Sequence, residues 1–157
     1  MTREQTRASV AWGHVKAIGD EHGKESTARK SYGTFAGKLP ALLRSAGLCQ
    51  ALHFLRAKRK TGKEQNGHND MAAHLLRHLA EQLGKVCPGI EKDADKLCEK
   101  AREADLPTYL WLSREAVSCA TWYARLAKSE LGVELTDEPP PDHDSSAPPA
   151  EPEGPVA

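Results

Sequence analysis

The sequence predicts an all-α protein: a single compact helical bundle of about six or seven helices, followed by a disordered tail. Apolar residues recur at helical spacing in the long segments, and no segment alternates with period two for long enough to form a strand. The end of the chain is acidic and rich in proline, a composition that buries too little apolar surface to offset the entropy of ordering. We expect the bundle to span residues 1–135 and the acidic tail to span residues 136–157.

The first predicted helix begins at the amino terminus. Thr2 and Gln5 have the Thr-x-x-Gln spacing of a capping box, in which each side chain accepts a hydrogen bond from the other residue's backbone. Glycine weakens a helix, so we expect this one to end at Gly19 or Gly23. The apolar residues between these points fall at helical spacing: Ala8, Ala11, Trp12, Val15 and Ile18.

A second helix and a short turn are predicted next. Ser26 or Thr27 caps a helix that runs to about Gly37. Pro40 has no N–H donor, which suits the first turn of a new helix better than the middle of an old one. We therefore expect a separate short turn to begin at Pro40 and to end at Gly47.

The middle of the chain is predicted to hold two helices and a loop. Residues 48–58 form the first of these helices, and residues 59–67 are the best internal loop, since they are charged, contain glycine and lack large apolar residues. Asn69 or Asp70 caps a longer helix that residues 87–89, Cys-Pro-Gly, bring to an end. Its apolar face consists of Met71, Leu75, Leu79, Leu83 and Val86.

The last two helices differ in character. Residues 91–105 are mostly alanine and charged residues, which predicts a solvated helix with a thin apolar edge. Pro107 opens the final and most apolar helix, which we expect to end near Gly132. Its buried seam repeats at alternating steps of three and four residues: Tyr109, Leu112, Ala116, Cys119, Tyr123 and Leu126.

Charge is distributed unevenly along a chain whose 22 basic and 22 acidic residues balance. Residues 1–63 hold 13 basic and 4 acidic residues, whereas residues 64–135 hold 9 basic and 12 acidic residues. The tail contributes six acidic residues and no lysine or arginine. A protein polarised in this way is able to bind a polyanion through its amino-terminal half.

Membrane insertion and export are both disfavoured by the sequence. No apolar run approaches the roughly 20 residues that cross a bilayer. The amino terminus has no apolar core followed by a cleavage site. The four cysteines are widely spread, which is typical of reduced thiols in the cytoplasm. We therefore expect a cytoplasmic protein with no membrane partner.

Metal and cofactor sites are also disfavoured. Asp70, His74 and His78 follow one helix flank, but Leu75 stands where a zinc protease carries its general base, and no fourth ligand is evident. We expect this flank to face water. The cysteines form no Cys-x-x-Cys pair, and no glycine-rich phosphate loop follows a strand. The sequence predicts neither a metal nor a cofactor.

Ribonuclease chemistry is an alternative that the sequence leaves open. Arg7 and His14 could act as phosphate clamp and general acid–base. On a continuous helix, however, seven residues separate their Cα atoms by about 10.5 Å. A chain with 22 basic residues and seven histidines also produces such a spacing by chance. We therefore favour a protein without catalytic residues.

Nucleic-acid binding fits the charge pattern best. No acidic residue lies between Thr27 and Gly62, a stretch that is rich in lysine and arginine. Cations placed on phosphates release condensed counterions, which gives a strongly salt-dependent affinity. The simpler alternative is a solvated helix face. The candidate RNA-binding residues are Arg29, Lys30, Lys38, Arg44, Arg56, Lys58 and Arg59.

Residues 31–55, SYGTFAGKLPALLRSAGLCQALHFL, resemble the signature of one family. That family is the small helical subunit of the type III-B CRISPR effector, the Cmr complex, whose members show Lys-Leu-Pro-Ala-Leu, then Gly-Leu, Gln and Leu-x-Phe-Leu. The ending WYARLA at residues 122–127 is similar to the family's Trp-x-x-Arg ending. Ala46 and His53 depart from the pattern, since the family often has asparagine at the first position and a small residue at the second.

The resemblance implies a non-catalytic subunit for antiviral defence. Its partners would be the other subunits of the Cmr complex, further copies of itself, the guide RNA and the target RNA. Several copies would stack head to tail into a filament that lines the groove where guide and target pair. Because base pairing selects the target, this subunit would recognise only backbone charge and shape. A pure protein–protein spacer, with cations that serve only solubility, is the remaining alternative.

Overall fold

The computed structural model describes residues 1–60 and 68–133, except for the side chains of residues 59–60 and 68–70. This part of the chain contains helices and no strand, which confirms the all-α prediction. The expected tail, residues 136–157, lies outside the described residues. The helices are α1 (Arg3–Glu21), α2 (Thr27–Ala46), α3 (Leu48–Lys60), α4 (His68–Gly84), α5 (Ala94–Glu103) and α6 (Leu106–Leu131).

Helix α1 begins with the predicted capping box. The Thr2 hydroxyl accepts from the Gln5 amide at 3.2 Å, and the Gln5 side chain accepts from the Thr2 amide at 2.7 Å. The helix continues through Gly19 and ends at Glu21, two residues before Gly23, the second of the two predicted ends. Trp12 is 46% exposed and lies outside the buried stripe, which consists of Ala11, Val15 and Ile18.

Helix α2 runs without interruption through Pro40, so the prediction of a separate turn there is wrong. Pro40 lacks the N–H that would bond one turn back. Its side chain is buried, and the packing of this face against α4 and α6 compensates for the missing bond. Gly47 ends the helix at a φ of +85°, a backbone conformation that glycine adopts without steric cost.

The ends of the middle helices differ from the predictions by a few residues. Helix α3 extends to Lys60, and helix α4 begins at His68, before the residues expected to cap it. The remainder of the predicted loop, residues 61–67, lies outside the described residues. Helix α4 ends at Gly84, where any Cβ would collide with the carbonyl of Glu91. Asp93 caps α5 by accepting hydrogen bonds from two backbone amides.

Helix α6 is the centre of the bundle. It begins at the Asp105 cap and ends at Gly132, as the sequence predicted within two residues. Helices α1 and α2 pack along it, and α4 packs across α2, α3 and α6. The predicted seam is buried at Leu112, Ala116, Cys119 and Tyr123. Within the described residues, no helix combines the length and the apolar character that crossing a bilayer requires.

Candidate nucleic-acid interface

The outer face of α2 holds three of the predicted RNA-binding residues. Lys30, Lys38 and Arg44 are exposed. At 3.6 residues per turn they fall within an arc of about 120°, and they cover about 21 Å of helix length. Lys30 lies 3.5 Å from Glu25 in an ion pair in which both side chains are largely solvated. We call these three residues the α2 cationic face. The positions between them carry small side chains: Thr34, Gly37, Ala41 and Ser45.

Arg29 has a different environment from its neighbour Lys30. Its guanidinium donates to the carbonyls of Gly19 and His22 at the end of α1, at 3.2 and 3.3 Å. It also donates to Glu130 and Leu131 at the end of α6, at 3.0 and 3.3 Å. One cation therefore joins the carboxyl ends of two helices, where the helix dipole favours positive charge. These hydrogen bonds give Arg29 a role in the fold, and its predicted contact with RNA stays a prediction.

Removal of the Arg29 guanidinium should therefore reduce stability. We expect Arg29→Met to lower the free energy of unfolding by about 2–3 kcal/mol, since a charged donor contributes about 1.5–3 kcal/mol and several carbonyls lose their partner. Urea denaturation followed by circular dichroism measures the change. Lys30→Met is the matched control and should shift stability by less than about 0.5 kcal/mol. Equal effects of the two substitutions would contradict the capping role.

The remaining predicted RNA-binding residues lie on α3. Arg56 and Lys58 are two positions apart, so they project about 200° from each other. Arg56 forms an ion pair with Asp95 of α5 at 3.4 Å, and Lys58 stands 5.5 Å from the ring centroid of Phe54. The side chain of Arg59 lies outside the described residues. Among the six predicted residues whose side chains the structure describes, the α2 cationic face brings together Lys30, Lys38 and Arg44, whereas Arg56 and Lys58 point away from each other on α3.

Arg7 is the first of the two residues considered for ribonuclease chemistry. Its Nε and Nη2 donate to the two carboxylate oxygens of Glu115 at 2.8 and 2.7 Å. Glu115 is 5% exposed, so this is a buried bidentate pair between α1 and α6. The hydrogen bonds to Glu115 are the main reason that the pKa of Arg7 is raised. The donors that would hold a phosphate are therefore used inside the protein.

His14, the second ribonuclease candidate, belongs to a buried cluster of aromatic polar side chains. Its ring stacks on that of His78, with centroids 4.1 Å apart and an interplanar angle of 5°. Its Nδ1 lies 2.8 Å from the Tyr123 hydroxyl and its Nε2 lies 3.0 Å from Glu81. The Tyr32 hydroxyl shares a hydrogen bond of 2.7 Å with Nδ1 of His78.

Burial determines the protonation of this cluster. Desolvation is the main cause that lowers the pKa of His78 to about 3, and the nearby His14, Arg77 and His74 act in the same direction. Desolvation also lowers the pKa of His14, against the opposing effect of Glu81. The expectation that His78 faces water is wrong, because this residue is 8% exposed. The low pKa of His78 keeps its imidazole neutral at pH 7.

The histidine, cysteine and acidic side chains of residues 1–60 and 68–133 are the candidates for a metal site or a reactive thiol. No group of three or more histidine, cysteine or acidic side chains there is placed to hold a metal ion. All four cysteines lie in this part of the chain, and none forms a disulfide. Burial raises the pKa of the Cys119 thiol to about 12, which disfavours the reactive thiolate.

The link between the start of α1 and the middle of α6 was not predicted from the sequence. Neither Glu115 nor the Trp122 indole was identified there as a polar contact. The Trp122 indole donates to Glu4 at 2.7 Å, and Glu4 also accepts from Arg7 at 2.9 Å. One signal was available: Glu115 lies beside Ala116, Leu112 and Cys119 on an otherwise apolar stripe.

Comparisons with known proteins agree with this fold. A family model described as CRISPR-associated protein (Cas_Cmr5) matches residues 3–130. The chain is 35% identical over 128 residues to the CRISPR system Cmr subunit Cmr5 of Thermus thermophilus, with 82% of this chain and 95% of the relative covered. The crystal structure of a CRISPR-associated Cmr5 family protein from Thermus thermophilus superposes with a TM-score of 0.64 at 36% identity, covering 82% of this chain and 96% of the other.

Proposed function

The chain belongs to the CRISPR-associated Cmr5 family, and from this membership we propose that it serves as the small accessory subunit of a type III-B CRISPR effector, the Cmr complex. Its partners would be the other subunits of that complex and further copies of itself, in the cytoplasm. We propose a non-catalytic role, in agreement with the intramolecular contacts of Arg7 and His14. The helical body, residues 1–135, would make the contacts with the other subunits, and residues 136–157 would form a separate tail.

The α2 cationic face is the observation that carries the finer proposal. We propose that Lys30, Lys38 and Arg44 line the groove that holds guide and target RNA. Because the residues between them are small, these three side chains project furthest from this face. Contacts of this kind recognise phosphates and carry no sequence information, as guide-directed selection requires. Lys58 and Arg59, adjacent in sequence on α3, are proposed as secondary contacts.

A triple substitution tests this role. We expect Lys30→Gln, Lys38→Gln and Arg44→Gln together to weaken target-RNA capture by the assembled complex. The slope of log affinity against log salt should become shallower by about 2 for each copy that contacts the RNA, since each phosphate contact to a single strand contributes about 0.7. Filter binding at several salt concentrations measures both quantities.

A matched control removes the same charge elsewhere. Lys85, Lys96 and Lys128 are exposed on three other segments, and their replacement by glutamine should leave the salt slope unchanged. The spacer alternative predicts that both triple variants capture RNA like the wild type while the complex still assembles. That outcome would refute the proposed RNA contacts without affecting family membership.

A further inference from the structure

An apolar groove lies between α1 and α6. It has a volume of about 590 Å³ and is lined by Ala8, Ser9, Trp12, Trp122 and Leu126. We call this the α1–α6 groove. Trp12 is 46% exposed, and it stands beside the half-buried Trp122 and Leu126. Two tryptophans and a leucine side by side are unusual for a face that meets only water, because exposed apolar residues are ordinarily scattered singly.

Each tryptophan of the groove has a cation beside its ring. The Lys16 ammonium lies 5.1 Å from the ring centroid of Trp12, and the Arg125 guanidinium lies 5.8 Å from that of Trp122. Both cations are exposed. The groove is therefore apolar at its floor and positively charged at this part of its rim. It suits a ligand that brings flat apolar groups together with carboxylates.

Helices α1 and α6 run parallel, so their carboxyl ends lie together. The contacts between them fall at increasing positions on both helices: Arg7 with Glu115, His14 with Tyr123, and Gly19 with Leu131. Val133, the last described residue, follows the turn at Gly132, where φ is +67°. One end of the groove therefore points to the end of the body from which residues 134–157 continue.

The sequence that continues from Val133 has the composition that such a groove would bind. Residues 137–144, Asp-Glu-Pro-Pro-Pro-Asp-His-Asp, place three consecutive prolines between two pairs of acidic residues. We call this the acidic proline segment. Consecutive prolines favour the polyproline II helix, which packs its rings into aromatic-lined grooves at a low cost in entropy. The family model matches residues 3–130 and so does not include this segment.

The distance from Val133 to the tryptophans matches the length of chain before the prolines. Trp122 precedes Val133 by 11 residues, about 16 Å along α6. Val133 lies beside Gly33 of α2, so a path into the groove also crosses the width of one helix, about 10 Å. The two components combine to about 19 Å. The six residues from Val133 to Pro139 span about 20 Å when they are extended.

We propose that the acidic proline segment of each chain docks in that chain's own α1–α6 groove, with its prolines on the two tryptophans and its carboxylates beside Lys16 and Arg125. A short tether holds a ligand at a local concentration on the order of 1 mM, so even a weak contact is populated. The segment then covers the groove, and any protein that binds there has to displace it. The inference goes beyond the proposed function and does not rest on it, since it concerns the isolated chain.

Solvent access to the tryptophan indoles tests this proposal on the full-length chain. A neutral gadolinium chelate enhances the relaxation of each indole N–H signal that it is able to approach, and replacement of each tryptophan by phenylalanine assigns the three signals. We expect the triple substitution Pro139→Ser, Pro140→Ser and Pro141→Ser to raise the enhancement at Trp12 about 2-fold, since a groove occupied half of the time is exposed half of the time. Trp111, which does not line the groove, should keep its value.

The later prolines of the same tail provide the matched control. The triple substitution Pro148→Ser, Pro149→Ser and Pro152→Ser removes the same number of prolines outside the acidic proline segment. It should leave the enhancement at Trp12 at the wild-type value. An unchanged enhancement in the first triple variant, or an equal rise in both triple variants, would overturn the proposal.

Salt and dilution distinguish the chain's own segment from other occupants. Raising NaCl from about 0.02 M to about 0.5 M should increase the enhancement at Trp12 in the wild type, because screening weakens the charge pairs, and should leave the first triple variant unchanged. Dilution from about 1 mM to about 0.05 mM should leave the wild-type value as it is, since a contact within one chain does not depend on concentration. A rise on dilution would show that a second copy occupies the groove, and the proposal would then be wrong.

Discussion

Arg7→Met is expected to lower the free energy of unfolding by about 3–5 kcal/mol, because the buried Glu115 carboxylate loses its bidentate partner and keeps only the half-exposed Arg3. The substitution keeps the apolar stem of the side chain and removes the guanidinium that holds both oxygens of Glu115. Glu115 is too deeply buried to be rehydrated without opening the contact between α1 and α6. Chemical denaturation of the purified chain at pH 7 measures the loss.

Arg3 offers the matched control for this prediction. It lies 3.3 Å from the same Glu115 oxygen, but its side chain is half exposed. Arg3→Met should therefore cost less than about 1 kcal/mol, the usual range for a solvated ion pair. The double substitution Arg7→Met with Glu115→Leu should recover most of the lost stability, because it removes both charges and fills the site with apolar groups. A double variant no more stable than Arg7→Met would disprove this account.

The second large effect is a loss of stability in mild acid. The pKa of His78 is about 3 in the folded state and about 6.5 in an unfolded chain, so unfolding takes up a proton between these values. Stability from this group is complete above pH 6.5 and falls as the pH decreases towards 3. We expect a loss of about 2 kcal/mol between pH 7 and pH 5 from His78 alone, and the lowered pKa of His14 adds to it.

Two variants distinguish His78 from the other titrating groups. His78→Gln should flatten the dependence of stability on pH between 7 and 5, since the glutamine does not titrate. His22→Gln changes a histidine at the end of α1, outside the stacked cluster, and should leave the dependence as it is. Urea midpoints at half-unit pH steps make the comparison. A His78→Gln variant that loses as much stability in acid as the wild type would exclude His78 as the source.

Local sequence information predicted most of the helices. Periodic apolar residues and the Thr2 cap act over a few residues, so their effect is visible without a fold, whereas the caps Asp93 and Asp105 were not predicted. The exception at Pro40 is informative. The missing N–H of Pro40 is a local energetic cost, and the burial of α2 against α4 and α6 outweighs it. Rules that consider only neighbouring residues do not include this burial.

The candidate site was predicted less completely. The charge pattern predicted an interface in the amino-terminal half, which stays a prediction, and the resemblance identified the family that the comparisons confirm. Neither distinguished Arg29, which joins two helix ends, from Lys30, which faces solvent. Both residues are basic and adjacent, and only their direction from the helix axis separates them.

The order of the amino acids alone was enough to establish the all-α class, the approximate positions of the helices, the polarised charge and the family. Which polar side chains are buried together, and which remain on the surface, depended on the packing of the helices in three dimensions. Arg29 donates a hydrogen bond to the carbonyl of Leu131, which lies 102 positions away in the sequence. His14 lies 3.0 Å from the carboxylate of Glu81, which is 67 positions away. No local pattern encodes such pairings, because a hydrogen bond or an ion pair requires atoms a few ångströms apart in space, whatever their separation along the chain.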